Sequence, residues 1–215
     1  MNEPRLLKNL SILKSFAKHA LQSIEADQRM IGIQCEDETI KDAMFKHVDV
    51  RQSHFTAMQF DHCDFEKASF VDCVFERCDF SNSKFKSAYF ERCTFVGSKM
   101  IGCDLSNASI KHTRFTECNL KYAFFEQSQM ESIQFAHCEL TEASFAAVVF
   151  KNAEMIESQF IRNNFFKTSL KQIDFSNCDF IAPLVSDHQS ELKGIIVNPM
   201  QALDLVSLWG ITIKE

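Results

Sequence analysis

From Ile40 to Phe180 every fifth residue is apolar, without one slip. The series runs through Phe45, Val50, Phe55 and Phe60 to Phe165, Leu170, Phe175 and Phe180, and it takes in all of the chain's 22 Phe except Phe16, Phe124 and Phe166. An α-helix repeats every ~3.6 residues and a plain strand every two, so neither keeps such a series on one face. The chain must turn once per five residues and return the same kind of side chain inward each time. Two residues before each apolar position stands a small or modest one, as at Cys63, Ala68, Cys73, Cys78, Ser83, Ala88 and Cys93. A spacing of two puts both side chains on one face of an extended segment. The other three residues of each unit, such as Asp64, Glu66 and Lys67, are mostly polar and belong in water.

With 5 Gly and 3 Pro in 215 residues, the chain makes these turns almost without glycine. Units such as CDFEK (63–67), ASFVD (68–72), CDFSN (78–82), CDLSN (103–107) and CNLKY (118–122) resemble the A-(D/N)-L-x-x motif of pentapeptide-repeat proteins. The resemblance implies an all-β solenoid, a right-handed quadrilateral β-helix in which four units make one square coil. On that pattern residues 35–182 give about seven coils and a rod of roughly 35 Å at the ~4.8 Å spacing of strands. Phe55, Phe75, Phe95, Phe115 and Phe135 then stack in one column, and Cys78, Cys118, Cys138 and Cys178 share an interior column with Ser98 and Ser158.

A stack of coils has two open ends, each exposing backbone edges and rings, so each requires a cap. Over residues 1–34, Leu6, Leu10, Leu13, Ala17, Ala20, Leu21 and Ile24 recur at helical spacing, which predicts an amphipathic capping helix from Pro4 to Glu25. A membrane-surface or partner-binding helix is the other reading of the same pattern. Residues 183–215 form a linker, a second helix and a short strand. Asn198 is its expected N-cap, Pro199 its first helical position and Gly210 its stop. This tail resembles the C-terminal module of the pentapeptide-repeat proteins that protect DNA gyrase, which implies a homodimer made through Met200, Leu203, Val206, Trp209 and Ile211. The alternative is a simple cap.

The net charge of −6 lacks the basic surface that direct nucleic-acid binding requires. No apolar run approaches the ~18 residues of a membrane span, and the N-terminus lacks the h-region of a secretory signal. Nine cysteines, an odd number with no CxxC pair, fit buried thiols in a reducing compartment, so the expected location is the cytoplasm. No spacing of Cys, His or carboxylates suggests a metal or cofactor, and no nucleophile is paired with a base, so a non-catalytic protein is expected.

Folding the sequence modulo twenty sorts the charges onto four faces, and two adjacent faces hold the negative excess. One carries Glu76, Glu117, Glu154, Glu157 and Asp174, the other Asp61, Asp79, Glu139, Glu142 and Asp179. The resemblance to the gyrase-protecting members, in particular those without loop insertions, implies a protein that engages DNA gyrase or topoisomerase IV by DNA mimicry. It would protect the enzyme from quinolones or peptide toxins. The alternative is a rigid interaction scaffold with another partner.

Overall fold

The computed structural model describes residues 1–212. The chain winds into a four-sided β-solenoid in which each residue lies beside the residue twenty positions on. This register holds from Met30↔Val50 to Asn164↔Leu184 without insertion. The first face is centred on Val50, Phe70, Phe90, Ile110 and Met130, and the second on Phe55, Phe75, Phe95, Phe115 and Phe135. Strands of these two faces belong to one 13-stranded parallel sheet, joined at the corner by the long strands Gln129–Ala136 and Val149–Ile156. The third face (Phe60, Phe80, Leu120, Leu140, Phe160) and the fourth (Phe45, Phe65, Phe85, Phe125, Phe145) are held mainly by isolated bridges.

The turn that five-residue winding demands is made by the residue two places after each inward ring. From Gly32 to Gln172 every such residue has positive φ, including Gln52, Arg77, Tyr122 and Gln127. Each L-residue in this left-handed region is strained by about 1 kcal/mol or more. The strain is held by the ladder, since the same residue donates its N–H to the next coil, Gln52 to Val71 at 2.9 Å and Arg77 to Val96 at 2.8 Å.

The interior is filled by the rings. Along the second face successive Phe stack nearly parallel, with centroids 5.0 Å (Phe55–Phe75), 4.7 Å (Phe75–Phe95), 4.8 Å (Phe95–Phe115) and 5.2 Å (Phe115–Phe135) apart. All nine cysteines are buried and free. Cys118 donates to the Phe95 carbonyl at 3.5 Å and Cys138 to that of Phe115 at 3.3 Å, while Ser158 Oγ accepts the Cys138 N–H at 2.9 Å. Burial pushes the Cys35 and Cys78 thiols up to about 12, so neither is a nucleophile at neutral pH.

Both flanks extend the stack, which comprises about nine coils in all. At the N-terminus the helix spans only Phe16–Glu25 (α1), not Pro4–Glu25 as the leucine spacing predicts. Residues 11–13 are instead drawn onto the open edge of the first coil, where Ser11 donates to Gly32 at 2.7 Å and Leu13 to Gln34 at 2.9 Å. A backbone edge that would otherwise be unpaired outweighs local helix propensity. Helix α1 is capped by Ser15, and the Glu38 carboxylate accepts from the Ser15 hydroxyl at 2.8 Å and the Phe16 N–H at 2.5 Å. Phe16, outside the five-residue phase, plugs the end of the bore with its ring against Phe45, Phe55 and Phe60.

At the other end Pro199–Val206 (α2) begins as its sequence predicts, with Asn198 and Gln201 forming a reciprocal capping box. Gly210, at φ +69°, ends the turn that follows. Gln201 also donates to the carbonyls of Phe175 (3.0 Å) and Cys178 (2.6 Å), closing the last coil. The short strand expected after Gly210 falls largely beyond the described residues, and Ile211 and Thr212 have no regular structure.

Candidate protein-interaction surface

The two acidic faces differ in how their charges are matched. On the third face the cations stand one coil from the acids. Lys41 lies 3.7 Å from Asp61, which His62 also meets at 2.6 Å; Arg162 lies 2.5 Å from Glu142, and Lys121 pairs with Glu139. Asp79 is held by the Ser81 N–H and hydroxyl, and Asp179 is exposed. Three of the five predicted acids on this face are therefore neutralised by a neighbouring Lys or Arg.

The second face keeps its charge. Glu117, Glu154, Glu157 and Asp174 are exposed, and among the described residues none has a Lys or Arg nitrogen within 4.0 Å. Glu154 accepts from Gln134 at 2.7 Å, Glu157 lies 3.5 Å from His137, and Glu76 lies 3.5 Å from His54. Asp174 accepts the Ser176 N–H at 2.8 Å, and the hydroxyl and N–H of Ser176 hold its carboxyl below the usual range. Of the two cations that folding by twenty assigns to this face, Arg114 is paired with Glu3 at 2.9 Å, and Arg77 has no carboxylate within 4.0 Å among the described residues.

That contact belongs to an N-terminal strap that the sequence did not reveal. Residues 3–11 run back along the corner between the first and second faces. Leu7 lies so close over Gly32 that a Cβ there would stand 2.5 Å from its Cδ1. Further along, the Arg5 carbonyl accepts from Gln52 at 2.9 Å and the Arg5 N–H donates to Asp72 at 3.0 Å. Asp72 is gripped in turn by Arg92 through bonds of 2.7 and 2.9 Å. Burial alone would raise the Asp72 carboxyl, but the bonds from Arg92 and Arg5 outweigh it and hold it below the usual range.

At the C-terminus, Met200, Leu203, Trp209 and Ile211 point outward and are 47–70% exposed, and Val206 is half-buried. The contacts that dock α2 come from Gln201 and Leu205 instead, with Leu208 of the turn beyond it packed alongside. An exposed apolar strip on a helix that already caps its own solenoid is suited to a second protein surface. Among the described residues, no group of three or more His, Cys, Asp or Glu is placed to hold a metal ion, and no helix is long and apolar enough to cross a membrane.

A second feature absent from the sequence reading is a break in the ladder. Between residues 149–157 and 169–177, across the first and second faces, no backbone hydrogen bond joins the coils, among the described residues. The hints are slight: Ile173 stands where most units have a smaller residue, and Phe175 leaves its column to meet Phe160 edge-on at 5.0 Å.

Comparison with known proteins agrees with this geometry. The description "pentapeptide repeat region" matches residues 68–136, and "pentapeptide repeats (8 copies)" matches residues 143–180. Among solved structures, a trypsin-treated form of QnrB1, a plasmid-mediated fluoroquinolone resistance protein, is 20% identical with a TM-score of 0.59, over 86% of this chain and 92% of that one. HetL, a pentapeptide repeat protein involved in heterocyst differentiation regulation from the cyanobacterium Nostoc sp., is 14% identical with a TM-score of 0.31, over 82% of this chain and 94% of that one. A search of curated protein sequences finds no match. The unbroken five-residue phase, the twenty-residue register and the two matched segments make this chain a member of the pentapeptide-repeat proteins, folded as their β-helix.

Proposed function

We propose that this protein is a non-catalytic binding protein that engages a type II DNA topoisomerase, gyrase or topoisomerase IV, by presenting its second face where DNA would lie. In this role it protects the enzyme from poisons such as quinolones or peptide toxins. The observation that carries the reading is the unmatched charge of Glu117, Glu154, Glu157 and Asp174, set along a narrow rod while Lys or Arg neutralises three of the five acids on the third face. Strand spacing puts successive coils ~4.8 Å apart, so carboxylates on different coils form a file along the rod axis. A site built to bind a phosphate backbone attracts such a file. The fold likeness to QnrB1, a fluoroquinolone resistance protein, supports the choice of partner. Dimerisation through Met200, Leu203, Val206, Trp209 and Ile211 would double the length of the rod.

A second reading is a rigid scaffold for a different protein. It is favoured by the pairing on the third face, which leaves most of the unmatched acids on one side and a charge density far below the ~1 charge per 1.7 Å of duplex DNA.

Supercoiling by purified gyrase, with and without a fluoroquinolone and over a titration of this protein, separates the two. The topoisomerase reading expects supercoiling to be restored under drug, and the effect to be lost in the Glu117→Lys, Glu154→Lys, Glu157→Lys triple variant with its solenoid spectrum intact. No effect on gyrase or topoisomerase IV at micromolar protein would leave the scaffold.

A further inference from the structure

In the lower coils the corner residue between the first and second faces donates its N–H to the carbonyl nineteen positions on. Gln52 bonds Val71, Asp72 bonds Glu91, Arg92 bonds Lys111 and His112 bonds Glu131. Asn152 occupies the same column and makes no such bond to Lys171; at the next corner His137 bonds Ile156, yet Glu157 makes none to Ser176. From above, Ser109, Gln129 and Val149 each donate to the coil beneath, but Ser169 does not reach the Val148 carbonyl. These absences hold among the described residues. The third and fourth faces stay closed across the same two coils, through Gln159–Ile161 with Asp179–Ile181 and through Asn164 with Leu184. The stack is therefore hinged open on one side only. Coil 169–177 is held from above instead, by Leu170 to Glu191 and Gln172 to Gly194.

The first-face half of this seam is a cleft of about 610 Å³ lined by Val149, Phe150, Lys151, Lys167, Lys171 and Ile173. Val149, at the free strand edge, is 63% exposed. An open edge with unpaired N–H and C=O groups is a template for another strand. Its charge selects the strand. The ammonium groups of Lys167 and Lys171 have no carboxylate within 4.0 Å among the described residues, although the Lys167 backbone N–H donates to Glu191 at 2.9 Å, and Lys151 reaches only Glu131, at 2.5 Å. The second-face half of the seam is of opposite sign, with Glu154, Glu157 and Asp174.

We propose that the first-face half of the seam is a docking site for an extended, acidic peptide segment of a partner protein. The segment adds a strand along Val149–Asn152 and places its carboxylates by Lys167 and Lys171. The site does not depend on the topoisomerase reading, since it uses the basic half of a seam whose acidic half lies on the other face.

Amide hydrogen exchange on the full-length protein tests this. In the free protein the Asn152 amide should exchange at least about tenfold faster than that of His112 in the same column. A synthetic hexapeptide alternating Glu or Asp with Val should then slow the Asn152 amide about tenfold, in a salt-dependent way, and leave the Glu157 amide unchanged. The Lys171→Glu variant should lose this protection. Equal protection of Asn152 and His112 in the free protein would mean that the seam is closed, and the site falls. Protection by a Lys-Val peptide equally well, or of Glu157 instead, would overturn the assignment of an acidic segment. Protection of Asn152 that rises with protein concentration alone would assign the edge to a second copy of this chain. No protection at millimolar peptide would remove the site altogether.

Discussion

Phe16 stands at 84° to Phe55 with ring centroids 5.4 Å apart, although the two residues belong to different periodicities. Phe55 sits in the five-residue series, whereas Phe16 comes from the helix that closes the bore and is fully buried. Replacing it with Ala removes the plug and leaves a cavity. We expect Phe16→Ala to cost about 3–5 kcal/mol by chemical denaturation. Because a solenoid opens from its ends, amides of residues 33–61 should lose protection before those of residues 109–136. Uniform loss along the rod would argue against an end-plug.

The Asp72–Arg92 pair supports the strap, and its pH dependence has a definite sign. The folded-state carboxyl lies below its unfolded value, so its contribution is complete above the ordinary carboxylate pKa of about 3.9. It is lost as pH falls through the lower folded value. Cleavage within residues 1–10 by an acid protease should accelerate as pH falls below the ordinary carboxylate value of about 3.9. At neutral pH the Asp72→Asn variant should raise exchange at the Arg5 amide, which donates to Asp72, and leave the Phe90 amide protected.

Left-handed backbone at non-glycine corners makes a further test. Gln127 is exposed, has φ 59° and its side chain makes no hydrogen bond among the described residues. Gln127→Gly relieves the Cβ strain against a smaller gain in unfolded-chain entropy, and should stabilise by about 0.5 kcal/mol. Gly97→Ala, at φ +57° with only Arg77 Cγ within 4 Å of the new Cβ, should destabilise by about 1 kcal/mol. Thermal melts of the two variants should move in opposite directions.

On α2 the exposed and buried apolar residues separate assembly from capping. Leu203→Glu changes an exposed position and should shift sedimentation toward monomer with an unchanged melting temperature, if α2 pairs two copies. Leu205→Glu places a charge at a site 7% exposed and should destabilise the C-terminal coils by about 3 kcal/mol or more.

The fold was legible because each inward ring repeats a demand made five and twenty residues earlier, so side-chain periodicity and backbone register carry the same information. Asn198, Pro199 and Gly210 were legible for a local reason, each being a helix-terminus residue whose effect needs no distant partner. The strap was not, because Leu6, Leu10 and Leu13 keep helical spacing and the groups that hold it extended, Asp72 and Arg114, lie far along the chain. The charge matching on the third face was available in principle. Lys41 with Asp61 and Glu142 with Arg162 are twenty apart, which marks them as neighbours, but counting charge by face discards that pairing. The seam left almost no trace, since the phase runs unbroken through Phe150, Met155, Leu170 and Phe175 while the backbone between them parts.

The twenty-residue register also works as a reading frame for shape. One residue inserted anywhere between Met30 and Leu184 would shift every downstream ring from the bore to the surface, and every left-handed corner onto the wrong side chain. A gain or loss of twenty residues is silent by comparison, adding or removing one whole turn without disturbing any other. Such a rod can change length only in steps, and the spacing between groups on its surface is inherited in whole turns.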